Sequence, residues 1–247
     1  KGLFTKEIED ALFERRIDLA VHSMKDMQTA LPDGLTIGAT LPREDVRDAF
    51  ISLKHKSFDS LPEGAVVGTS SLRRQAQIKR IRPDLQIVGF RGNVQTRLTK
   101  LRDEVAEATF LACAGLRRLG LADHITAAVP VESMLPAVAQ GAIGIEIRTD
   151  DEDTAALIAP MNDETTALCV TAERAFLATL EGSCRTPIAG LARLKGGTLT
   201  FKGETLSPDG RLQVVSTKTG SASAAADLGV TVADDILSRG GREVLQG

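Results

Sequence analysis

Apolar residues occur along the chain in short runs, each followed by a polar turn and then by a helical pattern. The first run places Ile17, Leu19 and Val21 at every second position and predicts a largely buried strand. An amphipathic helix is predicted over 5–16, before the strand, and a polar turn over 23–26 follows it. Ligands of α/β proteins lie beyond the carboxyl ends of strands, so this turn is the first candidate site. The alternative is a solvated loop whose charges have no function.

The pattern of strand, turn and helix occurs twice more, and both turn regions carry arginine. The first repeat has a short strand over 65–67 and a helix over 72–82, which Pro83 ends. The second has a strand over 85–90 and a helix over 94–105, whose apolar residues follow the spacing of one buried face. Strands that alternate with helices in this way predict an α/β fold.

Two arginines stand at the start of the first of these helices. Arg73 and Arg74 lie in the first turn, where the helix dipole disfavours a cation by about 0.3–1 kcal/mol. Free backbone N–H groups and the hydroxyls of Thr69, Ser70 and Ser71 lie at the same helix start. Together these groups predict a receptor for a carboxylate or a phosphate. The alternative is a serine cap followed by solvated arginines.

Further basic residues follow the later strands. Arg97 lies one helical turn from Arg91, so both can point into the same cleft. A third basic loop is predicted over 115–118, after a buried strand over 108–114. In the later glycine-bearing segment, Gly141 would let the backbone come close to a ligand.

The change of character along the chain predicts three domains. The first comprises 1–42 together with 137–160, because the chain returns to it after a second lobe over 43–136. The third, 161–247, has a long helix, three strand-like runs and a further helix, which predict a small α+β domain with a three-stranded antiparallel sheet. The predicted fold is therefore α/β, with two lobes joined by two hinge crossings and a C-terminal α+β domain.

Composition narrows the choice of ligand. Between residues 69 and 118 there are eleven basic and four acidic residues, whereas the whole chain has a net charge of −3. This asymmetry indicates a localised anion site. Trp and Tyr are absent, which disfavours binding of single-stranded nucleic acid by base stacking. Neither a phosphate-binding loop of the Walker type nor a dinucleotide fingerprint occurs, and no apolar run is long enough to span a bilayer.

The three cysteines are widely separated and predict neither disulfides nor a metal site. Cys113 and Cys169 lie in apolar runs and are expected in the core. Cys184 lies in a loop beside a cationic residue, which favours attachment or nucleophilic chemistry. Free cysteines indicate a reducing compartment, the cytoplasm or a plastid. The three histidines are isolated, so no metal is expected, and the chain begins in mid-motif at Lys1, so we expect further sequence upstream.

Seven motifs together resemble one family, the hydroxymethylbilane synthases, also called porphobilinogen deaminases. They are spaced over nearly the whole chain, which makes the resemblance specific. The motifs are KGLFTKEIEDAL (1–12), AVHSMKD (20–26), PREDVRDAF (42–50), VGTSSLRRQAQ (67–77), FRGNVQTRL (90–98), LPAVAQGAIGIE (135–146) and LEGSCRTPIAG (180–190).

The resemblance implies two lobes similar to periplasmic binding proteins and a dipyrromethane cofactor joined by a thioether to Cys184. It implies that four porphobilinogen molecules condense head to tail, with release of ammonia, to the linear tetrapyrrole hydroxymethylbilane. Asp26 would be the catalytic aspartate, which hydrogen-bonds pyrrole N–H groups and stabilises positive charge on them. The carboxylates of the cofactor would be bound by Ser23, Lys25, Thr69, Ser71, Arg73 and Arg74. Those of the substrate or growing chain would lie near Arg91, Arg97, Arg118, Gln140 and Gly141.

The chain departs from the family pattern in two places. Met27 and Gln28 replace the usual Val-Pro after the aspartate, and the family's first strand and helix, which carry further ligand-binding residues, are not in this sequence. The implied protein is a monomer that binds porphobilinogen and neither nucleic acid nor membrane. A second hypothesis is a non-enzymatic solute-binding or sensor protein, which would need no thioether at Cys184.

Overall fold

A computed structural model describes residues 3–183 and 185–246, and its first elements form the edge of a small sheet. The helix predicted over 5–16 begins earlier, at Leu3, and ends earlier, at Phe13. It ends there because Arg15, two residues later, adopts a left-handed conformation with φ of +55°. These elements are α1 Leu3–Phe13, β1 Leu19–Ser23, a 3₁₀ turn over Met24–Asp26 and β2 Leu35–Thr40.

The first strand is buried on the face opposite to the predicted one. Ala20 is buried against Leu12 of α1 and Leu35 of β2, whereas Val21 is 60% exposed and Leu19 is also exposed. Successive side chains of a strand point to opposite faces, and α1 covers only the face that carries Ala20. The prediction of a largely buried strand is therefore wrong for Leu19 and Val21, whereas Ile17, which precedes β1, packs partly buried against the Ala20 cluster.

The middle of the chain forms a five-stranded mixed sheet in the order β5-β4-β6-β3-β7. β4 is parallel to β5 and β6, whereas β3 is antiparallel to β6 and β7. The carboxyl ends of the three parallel strands therefore meet at one edge, where helices begin. The elements are β3 Asp48–Ile51, β4 Val66–Gly68, α2 Leu72–Ile81, β5 Gln86–Val88, α3 Val94–Arg102, β6 Ala108–Ala112, α4 Cys113–Arg118 and β7 Ala127–Ala128.

Two local predictions in this sheet are wrong. α3 ends at Arg102, and Val105, which we expected on its buried face, is 49% exposed. The backbone N–H of Val105 donates back to the Lys100 carbonyl, which closes the helix end. The predicted loop over 115–118 is helix α4, because Leu116 packs into the core beside the sheet.

The first crossing, residues 41–47, leads from the first sheet to the second, and the second crossing, residues 129–142, leads back to the first sheet. β8 Ile143–Arg148 inserts between β1 and β2 and is antiparallel to both, and α5 Glu152–Ile158 follows. The chain therefore passes between the first two sheets twice.

The C-terminal part forms an antiparallel sheet in the order β11-β10-β9 with two long helices on one face. Phe176 of the first helix stacks edge-on against Phe201 in the sheet, with ring centroids 5.0 Å apart. This confirms the predicted α/β class with a three-stranded antiparallel C-terminal sheet. The elements are α6 Glu164–Thr179, β9 Ile188–Lys195, β10 Thr198–Leu206, β11 Gln213–Ser221, α7 Ala225–Ser238 and α8 Gly241–Gln246.

The C-terminal unit packs against the turn that follows β1. Met24, Met27 and Val138 belong to the same apolar cluster as the buried face of α6. A buried bidentate ion pair also joins the first crossing to α6: Arg43 donates to both carboxylate oxygens of Glu173, at 2.7 and 2.9 Å. These contacts bring loops of all three sheets to one place. Among the residues described, no helix is both long and apolar enough to cross a bilayer.

Candidate functional site

A cavity of about 380 Å³ lies where the loops of the three sheets meet. Its cationic wall comprises Lys25, Arg73, Arg74 and Arg97, and hydroxyl and apolar side chains complete the lining. This cavity is the candidate site. Its lining residues are Lys25, Asp26, Ser70, Ser71, Arg73, Arg74, Arg97, Ala137, Val138, Gln140, Leu177, Ser183, Thr186 and Ile188.

The 3₁₀ turn after β1 supplies a lysine and an aspartate to the cavity. The turn is fixed because Met24 is buried and its N–H donates to the Ala142 carbonyl at 3.1 Å. Asp26 is exposed to the cavity. Burial lowers the pKa of Lys25, and the charge of Arg74 lowers it further, while Asp26 opposes the shift. The Lys25 ammonium is therefore held in a cationic environment where an added anion would stabilise it.

The hydroxyls at the start of α2 form hydrogen bonds within the protein that fix the loop between β4 and α2. Ser71 caps the helix by accepting from the N–H of Arg74 at 3.4 Å, and Ser70 accepts from the N–H of Phe90 at 2.9 Å. Thr69 accepts from the N–H of Ser71 at 3.2 Å. Ser70 and Ser71 still face the cavity, whereas Thr69 is buried behind them.

Arg73 and Arg74 are buried, with only 4% and 6% of their surface exposed, so the alternative of solvated arginines is wrong. Their Nη2 groups donate to the two oxygens of Asp48, each at 2.7 Å. Their Nη1 groups donate to the backbone carbonyls of Leu135 and Phe110, each at 2.8 Å. The arginine pair is therefore held rigidly at the cavity wall.

Asp48 is a component of the site that the sequence interpretation missed. It is fully buried at the start of β3; burial alone would raise its pKa, but Arg73 and Arg74 hold that pKa well below its usual range. Its partners are 25 and 26 positions away in the sequence, so no local pattern identifies them. One feature could have identified it: an acidic residue at the first position of a buried strand requires a cationic partner.

Three arginine side chains at the cavity keep a buried donor without a partner among the described residues. These donors are the Nε–H groups of Arg73, Arg74 and Arg97. Burial lowers the pKa of Arg97, and the nearby charge of Arg74 lowers it further. Buried unpaired donors are costly, so this wall is suited to an anionic ligand.

The C-terminal unit also lines the cavity. Leu177 of α6 and Ile188 of β9 contribute apolar side chains, and Ser183 and Thr186 lie in the turn between α6 and β9. Thr186 donates its hydroxyl to the Ser183 carbonyl at 2.7 Å, which tightens this turn. Cys184, the predicted attachment point, lies outside the described residues, but its chain neighbour Ser183 is at the cavity.

Other predicted residues lie away from the cavity lining. Ser23 ends β1, Arg91 is exposed, and Arg118 donates from Nη2 to the Gly141 carbonyl at 2.8 Å. Gly141 has φ of +88°, and a Cβ there would collide with the carbonyl oxygen of Glu44. The glycine therefore allows the two crossings to approach each other.

Gln140 lies at the cavity but is mostly engaged with the protein. Its Nε2 donates to the Val46 carbonyl at 2.8 Å and to Asp48 at 3.0 Å, and its Oε1 is buried with no partner in the part of the chain that the structure describes. Residues 3–183 and 185–246 contain no cluster of three or more His, Cys, Asp or Glu side chains able to hold a metal ion.

Fold and site together define an α/β protein whose cavity is lined by four cationic side chains and is suited to an anionic ligand. Comparison with known proteins identifies the family. The model of the porphobilinogen deaminase dipyrromethane cofactor-binding domain matches residues 1–156, and that of the porphobilinogen deaminase C-terminal domain matches 167–238. The chain belongs to the porphobilinogen deaminases, transferases of tetrapyrrole biosynthesis.

Two relatives are similar over most of their length. The porphobilinogen deaminase of Paracoccus denitrificans is 58% identical over 239 residues, which cover 97% of this chain and 76% of that protein. That of Nitrobacter hamburgensis is 51% identical over 243 residues, covering 98% and 77%.

Solved binding proteins show a weaker structural likeness. An arginine-specific periplasmic binding protein from Salmonella typhimurium is 16% identical with a TM-score of 0.37, covering 64% of this chain and 70% of that one. The methionine-binding protein MetQ is 17% identical with a TM-score of 0.39, covering 59% and 68%. At these scores the likeness carries no conclusion about function.

Proposed function

We propose that this chain condenses four porphobilinogen molecules head to tail into hydroxymethylbilane, starting from a dipyrromethane primer bound through a thioether to Cys184. Family membership supports the reaction class. The single observation that carries the residue assignments is a cavity lined both by four cationic side chains and by apolar ones. Each pyrrole ring of such a chain is flat and bears an acetate and a propionate, which suits both kinds of lining residue.

The residues present fit the dipyrromethane group. Arg73 and Arg74 line the cavity, and each guanidinium has further N–H donors beyond the two that bond Asp48 and a backbone carbonyl, so both can donate to its carboxylates. Ser71 and Lys25 line the same cavity. Leu177 and Ile188 offer apolar contact for the rings. When bound, the group supplies the electron-rich pyrrole carbon to which each new unit is joined.

Asp26 and Lys25 perform different tasks in this proposal. The Asp26 carboxylate accepts hydrogen bonds from pyrrole N–H groups and stabilises the positive charge that develops on them. Lys25, which lies in the cationic environment near Arg74, binds a carboxylate of the ligand. Each addition would break the carbon–nitrogen bond of the incoming porphobilinogen, with release of ammonia, and would join that carbon to a pyrrole ring that gives up its proton.

The remaining assignments complete the proposal. Arg97 and Gln140 contact substrate at the cavity. Other residues act at the margins of the cavity, either by binding the growing chain or by supporting the loops: Ser23, Thr69, Arg91, Arg118 and Gly141. The boundaries of the three domains are 1–42 with 137–160, then 43–136, then 161–247. We further propose a monomer that acts in a reducing compartment, in keeping with the free buried cysteines Cys113 and Cys169.

Intact mass of the purified protein tests the function. We expect a mass greater than that of the sequence by one dipyrromethane, and a colour with Ehrlich's reagent. Cys184→Ser should lose both the added mass and the activity, whereas Cys169→Ala, which changes a core cysteine, should keep them. A bare mass and no colour in the wild type would favour the solute-binding alternative.

A further inference from the structure

The arginine pair at the cavity depends on a carboxylate that cannot touch the ligand. Asp48 is fully buried, and both of its oxygens are engaged: one by Arg73, the other by Arg74 and by Gln140. We infer that Asp48 is a positioning residue that orients both guanidiniums, so that the anion site is assembled before any carboxylate arrives. This inference rests on the proposed function.

The geometry shows why one carboxylate is sufficient. Each guanidinium is held at two points, by Asp48 through Nη2 and by a backbone carbonyl through Nη1. Two contacts fix the plane of a guanidinium, and the remaining N–H donors then keep a constant direction. Both side chains line the cavity, so a ligand meets donors that need no rearrangement.

Asp48 also sets the charge of this wall. Two arginines share one carboxylate, so one positive charge remains uncompensated within the triad. A second buried acid would neutralise the pair, and with no acid at all the two like charges would repel each other in a medium of low dielectric. One carboxylate therefore holds the pair together and leaves it able to attract an anion.

The same carboxylate lies where the chain crosses between sheets. Asp48 opens β3 directly after the first crossing, and Gln140, which donates to it, lies in the second. Gln140 also donates to the Val46 carbonyl in the first crossing, and Arg73 donates to the Leu135 carbonyl in the second. The orientation of the arginines is thus tied to both hinge segments.

Asp48→Asn tests the inference, with Glu173→Gln as the matched control. Both variants replace a fully buried, arginine-bound carboxylate with its isosteric amide, but Glu173 pairs with Arg43 and does not touch the cavity arginines. In Asp48→Asn the amide NH₂ faces one guanidinium, and two donors cannot bond. We expect the fraction of folded protein that carries the dipyrromethane mass to fall by about tenfold or more, since small misplacements of binding groups cost this much. In the loaded fraction, KM for porphobilinogen should rise more than kcat falls.

The control separates positioning from general destabilisation. Glu173→Gln should lower the unfolding temperature yet keep wild-type cofactor content per folded molecule and wild-type KM. Equal losses of cofactor in both variants, or normal loading and KM in Asp48→Asn, would overturn the inference. If Asp48→Asn does not fold, Asp48→Glu retains the charge but displaces the guanidiniums, and normal loading in that variant, or its failure to fold, would also overturn it. A wild type without the added mass would instead refute the proposed function.

Discussion

At the scale of single residues, the site is built from charges that do not cancel. Lys25, Arg73, Arg74 and Arg97 line the cavity, and of the lining residues that the structure describes only Asp26 is acidic. Because part of this positive charge is buried, its interaction with an anion is stronger than at a free surface. The Asp26 carboxylate carries the opposite charge. The aspartate can therefore interact with a positive charge on the ligand while the cations hold the ligand's carboxylates.

Asp26→Asn should abolish most turnover while cofactor and fold are retained. The amide has the same shape but no charge, so it cannot stabilise a developing cation, and kcat should fall by about 10²–10³-fold. The measurement is steady-state kinetics on protein whose intact mass shows full loading. Asp33→Asn, an exposed turn residue of the same lobe, should retain wild-type kcat. Wild-type turnover in Asp26→Asn would remove Asp26 from the mechanism.

Cys113 should resist alkylation in the native protein. Burial, with a smaller contribution from Asp45, raises the pKa of its thiol to about 11, so very little thiolate is present at pH 8. Burial also raises the pKa of Cys169. Mass spectrometry after iodoacetamide treatment should show no label on either cysteine in native protein and label on both in denaturant. Rapid native labelling of Cys113 would contradict this packing.

At the scale of elements, local signals predicted the helices near the site better than the faces of strands. The hydroxyl of Ser71 and the proline at position 83 mark the two ends of α2, and the side chain of Asp163 caps α6. Such signals act within a few residues, so they can be found in the sequence. The buried face of β1 depends on which neighbour covers it, and the pairing of Asp48 with α2 spans 25 residues, so neither has a local signature.

The turn between β10 and β11 rests directly on α2. Gly210 has φ of +75°, and a Cβ there would collide with the Ala76 carbonyl oxygen and lie 2.7 Å from the backbone nitrogen of Arg80. Gly210→Ala should therefore destabilise the protein by more than about 1 kcal/mol, since strain and collision add. Urea unfolding measures the change. Gly197→Ala is the control, because Gly197 has φ of +77° with nothing within 4 Å of its Cβ position. Equal losses in the two variants would mean that the contact with α2 contributes nothing.

At the scale of the whole molecule, a second cavity of about 440 Å³ lies between α2 and the C-terminal sheet, beside their direct contact. Glu204 of β10 lines it and is only 4% exposed. Its Oε2 accepts from Gln213 at 2.8 Å, but its Oε1 has no partner among the described residues. The contact between these two parts of the protein therefore contains an ionisable group that is poorly compensated, which should make its stability depend on pH.

Glu204→Gln should stabilise the protein at neutral pH. Burial raises the pKa of Glu204, with Gln213 and Lys202 opposing the shift, so the folded state favours the protonated acid. The stability that such a group contributes to the folded state is fully present below the pKa of a glutamate in the unfolded chain, near 4.3. It is lost as pH rises through the higher pKa that the group has in the folded protein. At pH 7–8 the ionised Glu204 therefore carries a penalty that the amide lacks. The unfolding temperature should rise, with about 2–4 °C expected for each 1 kcal/mol in a chain of this size.

The pH dependence of that gain distinguishes charge from packing. The difference in unfolding temperature between Glu204→Gln and wild type should shrink as pH falls towards 4, because wild-type Glu204 then becomes neutral in both states. Glu132→Gln is the control at the same cavity, since its side chain is 74% exposed and its distant pair with Arg193 is weak. A gain in Glu204→Gln that is constant from pH 4 to 8, or a loss at pH 7, would show that the ionised carboxylate is compensated between α2 and the C-terminal sheet.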